Sequence, residues 1–149
     1  MKTIQNKIVV ILTIFIVTMF FQGCAVKYIA DYDAKIKDNT IQISKQVNKF
    51  YANLLEADSS KRVYKNYKKV YIDIEVEIQA LILQSNAHPL NSQSVSISET
   101  ILEKWQKYKN KHKLNNTYKD ALIKNHQKRF NRLFKAMLIA EAAKKIEKE

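Results

Sequence analysis

Apolar side chains recur at helical spacing through most of the chain after residue 31. In the first such segment, Tyr32 to Ala57, the inward-facing positions are alternately four and three residues apart, which places them on one stripe of a helix. Similar stripes predict three more helices, over residues 61–86, from about 97 to 113, and from Tyr118 to near the C-terminus. The stripe residues are, in chain order, Ile36, Thr40, Ile43, Val47, Phe50 and Leu54; Tyr64, Tyr67, Tyr71, Ile74, Ile78 and Leu81; Ile101, Trp105 and Tyr108; and Leu122, Phe130, Leu133, Phe134, Met137 and Leu138.

One segment of the second predicted helix also matches a strand. Over residues 72–78, branched apolar residues alternate with acidic ones, a period of two that is typical of a half-buried strand. We favour a helix because the helical stripe continues on both sides of this window and neither Gly nor Pro bounds it. The additional branched residues Val70, Ile72 and Val76 would then contact a second neighbouring helix.

Two short polar breaks separate predicted helices. The first is Asp58-Ser59-Ser60, in which Ser59 or Ser60 is expected to cap the second helix. The other is Asn115-Asn116-Thr117, which separates the third helix from the fourth.

The longest predicted loop covers residues 88–97. His88-Pro89 ends the second helix, because the residue before a proline avoids helical backbone angles. Ser96 and Glu99 have the spacing of a capping box, which predicts the start of the third helix. At the other end of the domain, Lys144–Glu149 is expected to fray.

The composition supports an all-α fold. The chain contains one Pro and one Gly, and the Gly lies at position 23, before the first predicted helix. Tight β-hairpin turns depend on glycine, whereas helical bundles do not. Because short connections favour antiparallel neighbours, we predict that residues 32–149 form an elongated antiparallel four-helix bundle.

The N-terminus has a different pattern. Lys2 and Lys7 are followed by 14 uncharged and mostly apolar residues, Ile8 to Phe21. This length matches the apolar region of a signal peptide, whereas a membrane-spanning helix needs about 20 apolar residues. We therefore predict a cleavable signal peptide over residues 1–23.

The apolar run ends in Phe20-Phe21-Gln22-Gly23-Cys24. This segment resembles the lipobox of bacterial lipoproteins, in which apolar residues and a small residue precede an obligatory cysteine. Gly23 fits the small residue before the cleavage site, while Phe21 replaces the more common Leu. The resemblance implies cleavage between Gly23 and Cys24, with a thioether-linked diacylglycerol and an N-acyl chain on Cys24.

The same resemblance suggests a location. Residues 24–31 would form a lipidated tether, and two or three acyl chains hold a protein durably to a membrane. Ala25 resembles the second residue of lipoproteins that are sorted to the outer membrane, since Asp at this place usually marks retention in the inner membrane. We expect a lipid-anchored protein of the cell envelope, on the periplasmic face of the outer membrane if two membranes are present.

The sequence lacks the motifs of several common kinds of catalytic site. Without glycine in the mature chain there is no phosphate-binding loop, dinucleotide fingerprint or Gly-x-Ser-x-Gly elbow. No acidic residue lies three positions before His88, His112 or His126, as the di-iron motif of helical bundles requires, and no two histidines lie within one helical turn. A single cysteine excludes covalent haem. We expect no metal, no cofactor apart from the acyl groups, and no enzymatic activity.

Three individual side chains have simpler structural interpretations. Asp73 and Glu77 share one helix face, which could serve acid–base chemistry on sugars but is more typical of a solvated acidic face. His126 falls on the apolar side of the fourth helix and is expected to be a partly buried core residue rather than a ligand.

The chain is strongly basic. Its formal net charge is +12, and about +10 remains after removal of Lys2 and Lys7. Residues 104–113 interleave basic and aromatic side chains, a pattern that can bind single-stranded nucleic acid, but Trp105 and Tyr108 belong to the inward stripe. Binding to an anionic membrane or wall surface is therefore favoured over nucleic acid, and codon usage of an AT-rich genome is the simpler alternative for the lysine content. The candidate polyanion-binding residues are Lys104, Lys107, Lys111, Lys124, Lys128, Arg129 and Arg132.

Two functional hypotheses follow. The first is a non-enzymatic, lipid-anchored bundle that acts on an envelope protein partner, as an accessory or assembly factor or as an exclusion or inhibitor factor; in general appearance the chain is similar to small helical lipoproteins. The alternative is a binding module for an anionic polymer, namely cell wall, lipopolysaccharide or DNA, through the lysine-rich face. Ionic strength separates the two, because polymer binding through lysines weakens steeply as salt rises.

Overall fold

The predicted stripes form four α-helices in the structure, a computed structural model that describes residues 29–146. No strand occurs within this range, so the alternating segment 72–78 is helical. A single 3₁₀ turn, Ser59–Lys61, follows the first helix. The helices are α1 (Ala34–Glu56), α2 (Tyr64–Asn86), α3 (Ser92–Asn115) and α4 (Asp120–Ile146).

The helices form a bundle in which each packs against the helices before and after it, and α4 packs against α1. Because the connections are short, sequential helices run antiparallel. The predicted all-α four-helix bundle is thus confirmed. At about 1.5 Å per residue, α1 with its 23 residues is about 35 Å long. We call the end that holds the α1–α2 and α3–α4 connections the distal end, and the end that holds the start of α1 the proximal end.

Aromatic rings from all four helices meet in the core. Phe50 of α1, Tyr71 of α2 and Trp105 of α3 lie with ring centroids 4.7 to 5.2 Å apart. Phe130 of α4 lies 5.7 Å from Trp105. The indole N–H of Trp105 donates to the backbone carbonyl of Tyr71 at 3.0 Å, so this buried polar group is satisfied.

A few predicted apolar contacts are wrong. Val70, Ile72 and Val76 are 39%, 46% and 56% exposed, so no second helix among the described residues buries them. Leu122 is 44% exposed, and the next residue, Ile123, is buried in its place. The stripe of α4 is therefore offset by one residue in its first turn.

The start of α2 differs from the prediction because its cap comes from another part of the chain. The helix begins at Tyr64 rather than Lys61, and neither Ser59 nor Ser60 caps it. Instead the side-chain oxygen of Asn116 accepts a hydrogen bond from the N–H of Tyr64 at 3.0 Å. Asn116 also ends α3 with φ of 47°, a left-handed conformation that asparagine tolerates better than most residues.

The start of α3 also differs. The helix begins at Ser92, so the predicted loop over 88–97 and the predicted capping box at Ser96 and Glu99 are both wrong. Asn91 is the N-cap residue, but its side chain bonds elsewhere: its amide donates to the carbonyl of Ser85 at 2.8 Å. A sequence pattern of local caps cannot reveal such a tertiary contact.

A buried polar cluster holds the end of α4 at the proximal end of the bundle. The ammonium of Lys144 contacts Glu141 at 2.5 Å, Asn91 at 2.5 Å and Ser94 at 2.9 Å. All four residues are buried, so the expectation that the chain frays from Lys144 is wrong. The cluster joins the last turns of α4 to the first turn of α3.

The residues that lead into α1 pack on the α2–α3 connection. The N–H of Ala30 donates to the carbonyl of Leu90 at 3.3 Å. Asp33 caps α1 through the N–H of Lys35 at 2.7 Å and lies 2.8 Å from the imidazole of His88. The predicted signal peptide, residues 1–23, and the predicted lipidation site, Cys24, lie outside the described residues.

Candidate ligand-binding groove

The C-terminal half of α3 and the N-terminal half of α4 enclose a surface groove of about 450 Å³. Residues four apart on a helix lie on the same face, and this spacing directs Lys107 and Lys111 of α3 toward α4. Lys128, Arg129 and Arg132 line the groove from α4. The pairing of α3 with α4 therefore gathers five cations, from two separate stretches of sequence, around one concave surface.

These five residues belong to the predicted set of seven, and the other two lie elsewhere. Lys104 pairs with Glu103 at 2.7 Å and does not line the groove. Lys124 is exposed on α4 outside the groove, where its charge contributes to lowering the pKa of Asp120. The structure therefore brings five of the seven predicted residues together and places the other two outside the groove.

The described lining of the groove carries positive charge and no acidic side chain. None of its five cations takes part in an ion pair with another described residue, although the hydrogen bond from Lys104 and, to a smaller extent, the charge of Lys107 lower the pKa of nearby Glu103. Between residues 104 and 140 the sequence contains a single acidic residue, Asp120, and Arg62 binds its carboxylate.

Aromatic rings form the inner wall of the groove. The imidazole of His126 stacks on the ring of Tyr108, with centroids 3.5 Å apart and an interplanar angle of 5°. A hydrogen bond joins its Nδ1 to the hydroxyl of Tyr118, and Arg129 donates to the hydroxyl of Tyr108 at 3.0 Å. Burial, together with the charges of Lys111 and Arg129, lowers the pKa of His126 to about 4. The half-buried position predicted for His126 is confirmed.

A second cavity of about 270 Å³ adjoins the groove at the distal end. The two share Tyr108, Lys111, Leu122 and His126 as lining residues, so they form one continuous depression. The second cavity adds an exposed leucine, Leu114, which is 84% accessible. The depression is thus basic along α4 and largely apolar near the α3–α4 connection.

Arg62 fixes the distal end on which this cavity depends. Its guanidinium is buried and donates to the carbonyls of Ala57 at 2.9 Å, Leu55 at 3.1 Å and Tyr118 at 3.3 Å, and it also binds Asp120. One side chain therefore joins the α1–α2 connection to the α3–α4 connection. This role was not predictable from the sequence, because nothing in the local pattern distinguishes Arg62 from a surface cation.

His112 is a structural residue beside the second cavity. It is buried, its Nδ1 lies 3.1 Å from the hydroxyl of Tyr71, and its Nε2 lies 2.8 Å from the carbonyl of Arg62. Burial lowers the pKa of His112, and its hydrogen bond to the carbonyl of Arg62 opposes part of this shift.

The remaining candidates lie apart from the groove. Asp73 and Glu77 are exposed on α2, and Asp73 pairs with Lys69 at 2.7 Å, so they form a solvated face. In the part of the chain that the structure describes, no group of three His, Cys, Asp or Glu could hold a metal ion.

Comparisons with known proteins give no relative from which a function could be transferred. No protein-family model matches the chain, and no curated protein or solved structure matches it. None of the helices between residues 29 and 146 is long and apolar enough to cross a membrane.

Proposed function

We propose that this protein binds an anionic ligand in the groove between α3 and α4, while lipid on Cys24 holds it to a membrane of the cell envelope. The observation that carries the proposal is the convergence of five cations on one concave surface without an acidic residue in its lining. Like charges in a cleft raise the local concentration of anions, and a ligand with two or more negative charges relieves their repulsion.

The shape of the site favours a small anionic group or a short segment of a polymer. Its volume of about 450 Å³ lies within the range of roughly 300–1,000 Å³ that is typical of small-molecule sites. Arg129 and Arg132 suit phosphate or carboxylate, because a guanidinium presents two parallel donors to either group. We propose binding rather than catalysis, since no carboxylate that could act as a general acid or base lies among the described residues that line the groove.

Titration with inorganic polyphosphate tests this proposal at about 50 and about 300 mM salt. The test variant replaces Lys107, Lys111, Lys128, Arg129 and Arg132 with Gln. A control variant with the same loss of charge replaces exposed lysines outside the groove, namely Lys45, Lys49, Lys65, Lys68 and Lys124. We expect salt-sensitive binding that the first variant abolishes and the second retains. Equal binding by the two variants would refute the proposal, because it would reduce the effect to net charge.

The membrane anchor is a separate part of the proposal, supported by the resemblance of residues 20–24 to a lipobox. We expect wild-type protein to incorporate labelled fatty acid and to fractionate with membranes, and Cys24→Ala to lose both properties or to persist as an uncleaved precursor. Incorporation of label into the Cys24→Ala variant at the wild-type level would contradict lipidation at this residue.

Exposed apolar residues on α2 support the protein-interaction hypothesis as a second candidate function. Ile72, Val76 and Leu83 of α2 are 46%, 56% and 72% exposed, and their spacings of four and seven residues place them on one face. Exposed apolar rows of this kind fit a partner helix. Crosslinking in cells, with capture at low and high salt, tests this second function: a partner lost on changing all three residues to Ser, yet retained at high salt, would support it.

A further inference from the structure

The cations of the groove and the apolar surface of the adjoining cavity together limit the class of ligand that fits the site. The groove alone would suit any compact anion, but it opens directly into the cavity of about 270 Å³ near the α3–α4 connection. Leu114 and Leu122, at 84% and 44% exposure, present hydrocarbon to solvent beside Lys111. An apolar group that covers these two side chains would remove their hydrocarbon surface from water, which is favourable.

We propose that the ligand is a phosphate ester that carries a single apolar chain. Its phosphate lies among Lys107, Lys111 and the α4 cations, and the first part of its chain lies in the adjoining cavity against Leu114 and Leu122. This inference rests on the proposed function and names the ligand class of the same site.

Charge and volume both support this occupant. A phosphate monoester carries up to two negative charges near neutral pH, which complements a cluster of cations with no acidic residue in the described lining of the groove. The cavity of about 270 Å³ exceeds the roughly 150 Å³ of an apolar cavity that admits benzene, so several methylene groups fit. His126 and Tyr108 lie in the wall shared by the two parts, at the junction between phosphate and chain.

The location of the site indicates that the ligand arrives as a free monomer. The depression lies at the distal end, while Ala30 and the start of α1 lie at the proximal end, about 35 Å away along a helix of 23 residues. A lipid packed in the membrane that holds the tether would present its headgroup to the opposite end of the bundle. A monomer that has left a bilayer can instead place both its phosphate and its chain in the site.

A chain-length series provides the test. The probes are inorganic phosphate and butyl, octyl and dodecyl phosphate, each used below its micelle-forming concentration, with dodecanol as the uncharged control. Affinity is expected to rise by about fourfold for each methylene that enters the cavity, and dodecanol is expected not to bind. Vesicles that contain phosphatidic acid test whether the site binds a phosphate ester in a bilayer or one that is free in solution. Stronger binding to vesicles than to monomeric dodecyl phosphate would overturn the monomer assignment.

Variants separate this inference from the proposed function. Leu114→Ser changes an exposed residue that lines the apolar cavity and not the cationic groove, and it is expected to flatten the chain-length dependence while leaving polyphosphate binding intact. Leu83→Ser, on the exposed face of α2, is the matched control and should keep the wild-type series. An affinity independent of chain length, or an equal effect of Leu83→Ser, would overturn the amphiphile; loss of all phosphate binding in the wild type would overturn the proposed function itself.

The imidazole of His126 offers a readout that a general loss of stability would not imitate. A phosphate bound beside it opposes the charges of Lys111 and Arg129, so binding is expected to raise its pKa from about 4. The shift is measured by NMR titration of the ring protons with and without octyl phosphate. An unchanged His126 pKa at saturating octyl phosphate would place the ligand elsewhere and overturn the proposal.

Discussion

Replacing Arg62 with Met tests whether one buried guanidinium holds the distal end together. Methionine retains much of the aliphatic volume but removes the donors to three backbone carbonyls, those of Leu55, Ala57 and Tyr118. Hydrogen bonds from a charged donor contribute about 1.5–3 kcal/mol each and are not additive. Asp120 adds little, since its side chain is 62% exposed and is solvated without its partner. We therefore expect a loss of about 3 kcal/mol in the free energy of unfolding.

Urea denaturation followed by circular dichroism at 222 nm measures this loss. With an m-value of about 1.5 kcal/mol/M, the midpoint should fall by about 2 M. Arg132→Met is the matched control, because Arg132 is exposed and its replacement should change the free energy by less than about 0.5 kcal/mol. A midpoint for Arg62→Met within about 0.5 M of that control would show that the two connections hold together without the guanidinium.

Three further predictions concern groups that the structure buries or constrains. The pKa of His126 is about 4 in the folded chain and about 6.5 when unfolded, so its contribution to stability falls as pH decreases from about 6.5 to about 4. His126→Phe should remove this pH dependence from the urea midpoints measured across that range. Identical pH profiles of the midpoint in the wild type and the variant would contradict the prediction. Lys144→Met should cost about 3 kcal/mol because it removes the cation that pairs with the buried carboxylate of Glu141 and leaves it the hydroxyl of Ser94 as a donor, and the double variant Lys144→Met, Glu141→Leu should recover most of this loss in the same assay. Asn116→Gly should be less destabilising than Asn116→Ala by about 1 kcal/mol, because both lose the cap on Tyr64 but only glycine accepts the left-handed backbone freely.

The sequence predicted the helices and most of their buried faces because a bundle needs one continuous stripe on each helix. In α1 every predicted stripe residue from Ile36 to Leu54 is buried. The helix ends were less predictable, since their caps are tertiary: the N–H of Tyr64 bonds to Asn116, more than fifty positions away. The role of Lys144 at the proximal end was not predictable either, because its contacts with Asn91 and Ser94 are also tertiary.

The groove was predictable in part. Net charge along the chain identified the basic stretches of α3 and α4, but only the antiparallel pairing of the two helices shows which lysines share a surface. The apolar half of the depression gave no recognisable signal, because Leu122 has the spacing of a core residue and Leu114 follows a run of lysines. A prediction that pairs the exposed faces of adjacent helices could have found both.

Codon usage explains the number of lysines better than it explains their clustering around one concave surface. An AT-rich genome would enrich lysine over arginine throughout the chain, and only three of the 26 basic residues are arginine. Outside the groove some lysines, such as Lys69 and Lys109, have a carboxylate partner, and others, such as Lys45 and Lys65, are exposed and form no ion pair with a described residue. The groove brings five cations together without an acidic residue in its described lining, and it holds two of the three arginines. Mutational bias acts on composition and does not select which side chains meet across two helices, so this clustering of charge favours a ligand-binding surface over an unselected one.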